Sequence, residues 1–531
     1  MASTPVSIAP GGATLLGHPR GLFVLFFAEM WERFSFYGMR AILIFYLTKH
    51  FLFGDEPAYA IYGAYTSLVY VTPVIGGYLA DRYLGARKAV FVGGLFIAAG
   101  HLLIALVEGP LGAQGFYLNG FYLALASIIV GTGFLKANIS VLVGQLYPRD
   151  DIRRDPAFSI FYMGINVGGW VGPIACGYLG ESPDWGWDWG FGAAGVGMLL
   201  GLVVFVLFRK DLHGAGEPAA PALLKAPVAL GLSREWIIYL GAFGGVLATW
   251  WLIRYQNAVG WSLIGSAVLT FLFILYRAVW TLPRIERDRL LAALFLIGLS
   301  PLFWALFEQT GSSLNLFTDR SVDRTLLGWE IPATWFQSVN SIFIILLAPM
   351  FAALWTFLAK RRLEPSAPFK FGIGLILVGI GFLVLVAGAV ANSGSLTPVI
   401  FILLIYLLHT MAELCFSPVG LSNMTRLSVA SLVGLMMGTW FLATAAGNFI
   451  ASLIAQATGA EGGGLERVFE VYTRIGWFAI GVGAVVLVLA PFVARLMHLD
   501  RLGDDDHGLA GDGMFGEPAA AGIALDKELR P

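Results

Sequence analysis

Fourteen stretches of about twenty or more predominantly apolar residues follow one another along this 531-residue chain, and nothing else in it restricts the fold so tightly. They run near 22–50, 57–80, 88–108, 116–145, 157–180, 189–208, 234–255, 258–280, 290–317, 331–359, 369–391, 397–424, 431–456 and 469–498. A helix needs about 20 apolar residues to cross the hydrocarbon core. Strands of a membrane barrel are about ten residues long and alternate apolar with polar, whereas these runs are continuous, so helices are the remaining way to satisfy the backbone in lipid. Composition points the same way: 58% of residues are hydrophobic and 13% charged, against about 25% charged in a soluble domain. The expected class is an all-α integral membrane protein with fourteen transmembrane helices.

Several functions are disfavoured at once. Arg20 is the only strong base in the first 20 residues, and the apolar run after it lacks a small-residue cleavage site, so no cleaved signal peptide is expected. Cys176 and Cys415 both fall inside predicted spans, where cysteine behaves as a small apolar residue, and no disulfide framework or metal site is implied. A net charge of −1 says nothing about nucleic acid, and no basic tract with interleaved aromatics appears outside the apolar runs, so no nucleic-acid partner is expected. A His-rich metal cluster, a paired-Asp motif and a Gly-x-Ser-x-Gly elbow are all missing, so an enzyme is not expected.

Positive charge concentrates in alternate loops: Arg82, Arg87 and Lys88; Arg149, Arg153 and Arg154; Lys360, Arg361, Arg362 and Lys370. By the positive-inside rule these loops are cytoplasmic. The loop with Glu181, Asp184 and Asp188 has no Lys or Arg, while the loop with Arg320 and Arg324 is an exception. Both termini are therefore expected inside.

The segment from Asp211, rich in Pro, Ala and Gly, reads as a linker over 211–233. It separates a short cytoplasmic N-terminus (1–21) and a six-helix bundle (22–210) from the remainder of the chain. The two spans over 234–280 carry charge only near their ends, as Arg234, Glu235, Arg254 and Arg277, and read as an inserted, lipid-facing hairpin. A second six-helix bundle (281–498) and a polar tail with Asp504, Asp505 and Asp506, expected to be disordered over 499–531, complete the chain. Six spans before the hairpin and six after is the count expected of a transporter built from two related six-helix halves.

The first span reads Glu29-Met-Trp-Glu32-Arg33-Phe-Ser-Phe36-Tyr37-Gly-Met-Arg40. At about 100° per residue, with Glu29 at zero, Glu32 falls near about −60°, Arg33 about +40°, Phe36 about −20°, Tyr37 about +80° and Arg40 about +20°, so all six share one stripe. A charge at mid-membrane costs roughly 2.5–3.5 kcal/mol, which places this stripe against a water-filled cavity or partner helix. The bland alternative is that Glu29 and Glu32 are interfacial and snorkel to the headgroups.

Lys136, Glu308 and Glu413 stand isolated in other spans, and each needs a partner. Four acids against three bases leave the buried set one negative charge in excess, which one proton would neutralise. Proton uptake would then break or exchange ion pairs between the bundles; static pairs that fix helix packing are the alternative. Tyr37, Tyr70, Tyr162, Asn166, Trp304, Asn340, Trp440 and Phe441 could complete a pocket, although each alone is more often a packing residue. His101 and His409 read as structural, and Gly131, Gly133, Gly164, Gly168 and Gly169 as helix-packing positions.

Motifs carry these readings to a family. Glu29-x-x-Glu32-Arg33-Phe34, Gly77-Tyr-Leu-Ala-Asp81-Arg82-Tyr-Leu-Gly85-Ala-Arg87-Lys88, Phe158-Ser-Ile-Phe-Tyr-Met-Gly-Ile-Asn166, Phe303-Trp304-Ala-Leu-Phe-Glu308-Gln and Glu413-Leu-Cys-Phe-Ser417-Pro418-Val-Gly420 together resemble the signatures of the proton-dependent oligopeptide transporter (POT, or PTR) family, prokaryotic type, of the major facilitator superfamily. The resemblance covers nearly the whole core and includes the inserted hairpin. It implies a carrier that needs no cofactor beyond the proton gradient and imports di- and tripeptides by alternating access; the expected setting is the bacterial inner membrane, with the chain functional as a monomer.

On that resemblance Glu29, Glu32, Arg33 and Glu308 serve proton coupling, Arg40 pairs with Glu308, and Lys136 pairs with Glu413. Arg40 and Lys136 would meet the peptide carboxylate, Glu413 with Asn166 and Asn340 its amino group, and Tyr37, Tyr70, Tyr162, Trp304, Ser417, Trp440 and Phe441 would line the pocket. Phe36 stands where the family often has a tyrosine, which removes one hydroxyl, and the second span has no histidine. Plant relatives carry nitrate and other solutes, so another small solute remains an alternative substrate.

Overall fold

The computed structural model describes residues 14–108, 117–148, 151, 153–218, 220–229, 231–326, 328–429, 432–459 and 464–499. Arg149, the first 13 residues and the tail beyond Leu499 lie outside the described residues.

The apolar runs become helices because a backbone in lipid must bond to itself. In chain order these are α1 (Arg20–Phe45), α2 (Asp55–Leu79), α3 (Ala86–Glu108), α4 (Tyr117–Gln145), α5 (Arg154–Glu181), α6 (Trp187–Leu207), the short α7 (Pro221–Lys225), α8 (Arg234–Leu252), α9 (Gln256–Thr281), α10 (Arg284–Phe307), the short α11 (Ser313–Ser321), α12 (Gln337–Lys360), α13 (Ala367–Ala391), α14 (Val399–Leu427), α15 (Val433–Gly459) and α16 (Gly464–Leu496). Fourteen of these, among the described residues, are long. Eleven segments qualify as membrane-crossing by length and composition alone. The difference lies in α8 and α9, which merge into one 48-residue segment, and in α1 and α2. Charges dilute α1, and tyrosine, threonine, glycine and proline dilute α2.

One expected span is not a single helix. Between α10 and α11, Glu308–Gly311 tightens into a 3₁₀ turn and Ser312 takes φ −125°, ψ −100°. The run Gln309-Thr-Gly-Ser-Ser supplies the hydroxyl and amide groups that let a broken helix survive in the membrane.

The described residues fall into two compact units: one takes those within 1–42 and 68–259, the other those within 43–67 and 260–511. In the first, α3 lies along α4 and α6, and Leu22, Leu25, Leu135, Leu142, Met198 and Phe205 belong to its core. α5 approaches α1 closely because Gly168 and Gly172 face it: a Cβ on either would strike the Met30 or Phe34 carbonyl. In the second unit α13 runs along α14 and α16, and α10 packs on α15. The segment 43–67 belongs here, with Gly63 of α2 pressed against Ser452 and Gly459 against Asp55.

The expected linker is packed rather than loose. Leu212 and Leu224 are buried, the Gly216 amide donates to Gln145 Oε1 at 2.7 Å, the Arg87 amide donates to the Gly216 carbonyl at 3.0 Å, and Arg87 pairs with Glu217. Gly85 turns the chain into α3 at φ +78°, where a Cβ would also strike the Gly216 carbonyl. Pro, Ala and Gly here serve close packing against α3 and α4, which composition alone does not distinguish from flexibility.

The hairpin divides between the units. α8 is stapled at both ends to the first: Lys88 Nζ meets Glu235 Oε1 at 2.5 Å, and Arg254 and the Trp250 indole donate to Asn119 at 2.6 and 3.1 Å. α9 belongs to the second, where Trp261 stacks edge-on against Phe449 of α15. Along both, Trp236, Leu240, Phe243, Leu269, Leu272 and Trp280 are exposed, an apolar surface with aromatic ends suited to lipid.

Candidate functional site

In the first unit, the α1 stripe forms as the helical spacing requires. Glu29, Glu32, Arg33 and Arg40 are 4%, 1%, 4% and 6% exposed. Arg33 Nε lies 2.5 Å from Glu32 Oε2 and 3.1 Å from Glu29 Oε1. One guanidinium thus serves two carboxylates, and Glu32 Oε1 and Arg33 Nη2 are buried without a hydrogen-bond partner. The reading of Glu29 and Glu32 as snorkelling residues does not hold, because both carboxylates are buried.

Phe36 is 4% exposed, with the Arg33 guanidinium 5.3 Å from its ring centroid. Its ring therefore lies beside the Arg33 guanidinium. Tyr37 and Tyr70 lie within electrostatic reach of Arg33. Lys136 of α4 stands 4.1 Å from the Tyr70 ring centroid, and Asn166 donates to the Tyr162 carbonyl one turn back at 3.1 Å. The side chains expected from α1, α2 and α4 are thus linked through Tyr70.

In the second unit Glu308, 3% exposed, sits at the first position of the 3₁₀ break. Trp304, one turn earlier, has an indole N–H that is buried and without a hydrogen-bond partner. Asn340 of α12 donates to Glu413 Oε2 at 3.0 Å and to Thr410 Oγ1 at 3.1 Å, so Asn340 and Glu413 meet as expected, with Thr410 as an addition. Trp440 is 2% exposed and joins Phe371 and Phe416 in an aromatic cluster; Phe441, beside it, is also buried, and Ser417 follows Phe416 on α14. Arg40 and Lys136 belong to the first unit, Glu308 and Glu413 to the second.

Another constellation in the second unit went unseen in the sequence. Arg320 donates to both oxygens of Asp55 at 2.6 and 2.8 Å, Lys49 meets Asp319 at 2.9 Å, and Arg324 pairs with Asp319 and Glu330. These pairs neutralise the bases of the one loop that departed from the positive-inside pattern, and that departure was the available signal. His409 Nε2 lies 3.2 Å from the Val378 carbonyl, which accepts from it, a structural role, and Cys176 and Cys415 are buried free thiols.

A family model described as the POT family matches residues 87–468. The chain belongs to the POT family. Among curated proteins it is 40% identical to "Uncharacterized transporter YclF" of Bacillus subtilis, covering 91% of this chain and 95% of the relative. It is 37% identical to "Peptide transporter YePEPT" of Yersinia enterocolitica, covering 92% and 97%. Among solved structures it is similar to a peptide transporter POT, a glutamate-to-glutamine mutant in complex with alafosfalin, with a TM-score of 0.79, 37% identity and coverage of 92% and 97%. As a POT-family chain it is a multi-pass, all-α membrane transporter of the major facilitator class, in agreement with the sequence.

Proposed function

We propose that this POT-family transporter is a proton-coupled symporter that imports di- and tripeptides by alternating access, acting as a monomer in the bacterial inner membrane with both termini cytoplasmic and no resident cofactor. The observation that carries the reading is the α1 triad, where one buried guanidinium holds two buried carboxylates. Its support in substrate class is the likeness to proteins named as peptide transporters.

Peptides share two charged termini and vary in between, so fixed charges read what is common while apolar walls tolerate the rest. Arg40 and Lys136 receive the carboxylate. Glu413, oriented by Asn340 and Thr410, receives the amino group with Asn166. Tyr37, Tyr70, Tyr162, Trp304, Ser417, Trp440 and Phe441 border the side chains. Protonation of Glu32 or Glu29 loosens the hold on Arg33, and exchange of Arg40–Glu308 and Lys136–Glu413 pairs links that event to the conformational step. Each proton entering yields roughly 2.3 kcal/mol per 100 mV, enough to accumulate a peptide.

The test is reconstitution in liposomes with an inward proton gradient and negative interior, following labelled dialanine in wild type and Glu32→Gln. Wild type is expected to concentrate the peptide, and the variant to exchange it in counterflow without concentrating it. Failure of wild type to take up or exchange any of several di- and tripeptides would remove the substrate assignment and bring nitrate or another small solute forward.

A further inference from the structure

The break at Glu308 is held by a set of polar side chains that the transport reading leaves unused. The last four carbonyls of a helix have no intrahelical partner, and in the membrane each must find one. Gln309 Nε2 donates to the Ala305 carbonyl in the last turn of α10 and to the Ala451 carbonyl of α15, both at 2.9 Å. Ser313 Oγ lies 2.6 Å from Gln309 Oε1 and 2.8 Å from the Tyr472 hydroxyl of α16. All three side chains are buried: Gln309 is fully so, Ser313 is 3% exposed and Tyr472 fully buried.

The direction of this chain follows from donor counting. An amide oxygen only accepts, so the Ser313 hydrogen is spent on Gln309. Tyr472 must then donate to Ser313. The path runs one way, from Tyr472 through Ser313 and Gln309 to the two carbonyls, and both amide hydrogens of Gln309 are used. It joins α16, α11, the 3₁₀ turn and α15, and every member is satisfied, whereas Glu32 Oε1 and Arg33 Nη2 in α1 are not. A fully satisfied buried network specifies one arrangement of the elements it joins.

We infer that Gln309, Ser313 and Tyr472 form a brace that fixes the break in the Glu308-bearing helix and are thereby positioning residues for that carboxylate. Gln309 is adjacent to Glu308, so a brace on its side chain sets the local backbone from which the carboxylate projects. The inference rests on the proton-coupled reading above for its consequence, but the brace itself can be observed without substrate.

The full-length protein carrying Ser313→Ala, Ser313→Thr, Gln309→Leu or Tyr472→Phe is compared in liposomes with wild type. Ser313→Ala and Gln309→Leu are expected to lower peptide accumulation about tenfold while counterflow stays within about twofold. Ser313→Thr, which keeps the hydroxyl, is expected to restore accumulation. Tyr472→Phe, which keeps the ring against Phe382, guards against a folding defect and should act in the same direction to a lesser degree. In parallel, hydrogen exchange of the amides over 305–313 should quicken about tenfold in Ser313→Ala and not in Ser313→Thr. Unchanged exchange overturns the brace whatever uptake does. Accumulation and counterflow that fall together, or neither falling, overturns the positioning role. If wild type itself moves no peptide, the functional reading fails and the exchange measurement decides the brace alone.

Discussion

The α1 triad and the ion pairs around Asp55 and Asp319 are both clusters of opposite charges, yet they are built on opposite principles. Around Arg33 one base faces two acids, all nearly inaccessible, with Glu32 Oε1 and Arg33 Nη2 lacking hydrogen bonds. Around Asp55, Arg320 makes a bidentate pair with side chains 49% and 24% exposed, and Lys49, Arg324, Asp319 and Glu330 are matched nearby. Removing water from charges costs several kcal/mol per ion, so the buried groups around Arg33 depend on their partners far more than the exposed pair at Asp55 does. The Asp55–Arg320 pair keeps part of its hydration and costs little to form or break.

The largest expected effect tests the inner cluster. Arg33→Met removes the guanidinium that meets both Glu29 and Glu32 and should destabilise the fold by roughly 3–5 kcal/mol, seen as a lower unfolding temperature in detergent. The double variant Arg33→Met with Glu32→Gln should recover much of that loss. If Arg33→Met unfolds at the wild-type temperature, the triad is solvated after all and the contrast with the outer pairs collapses.

The sequence announced the two clusters very unequally. α1 could be read because four ionisable residues fall on one helical face, and face membership needs only the 3.6-residue period. Asp55–Arg320 could not, since the partners are 265 residues apart and nothing local marks them except the surplus of base in that loop. The spans were legible for the same reason as the stripe: α3, α4 and α13 begin and end within a few residues of their apolar runs. The break after Phe307 was not, because Gln-Thr-Gly-Ser-Ser within a long apolar run looks like a diluted helix until its side chains are seen to take up backbone groups. The packed segment near Gly216 was missed likewise, as its composition is that of a loose linker and its contacts come from α3 and α4.

At the outer pairs the expected effect is smaller. Asp55→Asn and Arg320→Gln, singly and together, should give a coupling energy of about 1 kcal/mol or less, falling further at high salt. A double-mutant cycle on unfolding in detergent reads it directly. A coupling several times larger and insensitive to salt would mean that this pair behaves like the buried triad, and the distinction between an expensive interior and a cheap rim would need redrawing.

The smallest effect is expected at the other rim, where the chain enters α1. His18 Nδ1 lies 2.8 Å from the Tyr147 hydroxyl, Arg153 donates to the Gly17 carbonyl at 3.1 Å, and Asp151 accepts from Arg153. Burial first, then the Arg153 charge, holds the imidazole below its ordinary pKa of 6.5 against the opposing pull of Asp151. Hydrogen bonds from Arg153 hold the Asp151 carboxyl below its ordinary range. The folded state thus favours neutral His18 and ionised Asp151. The His18 contribution is present above its ordinary pKa and is lost as pH falls toward the lowered one, while the Asp151 contribution is lost only in stronger acid. His18→Gln keeps a polar partner for Tyr147 but does not titrate. Between about pH 8 and about pH 5 wild type should lose slightly more thermal stability than His18→Gln. A gap that stays constant over that range would show that this rim, like the pairs at Asp55, is held by matched contacts alone and carries no proton linkage.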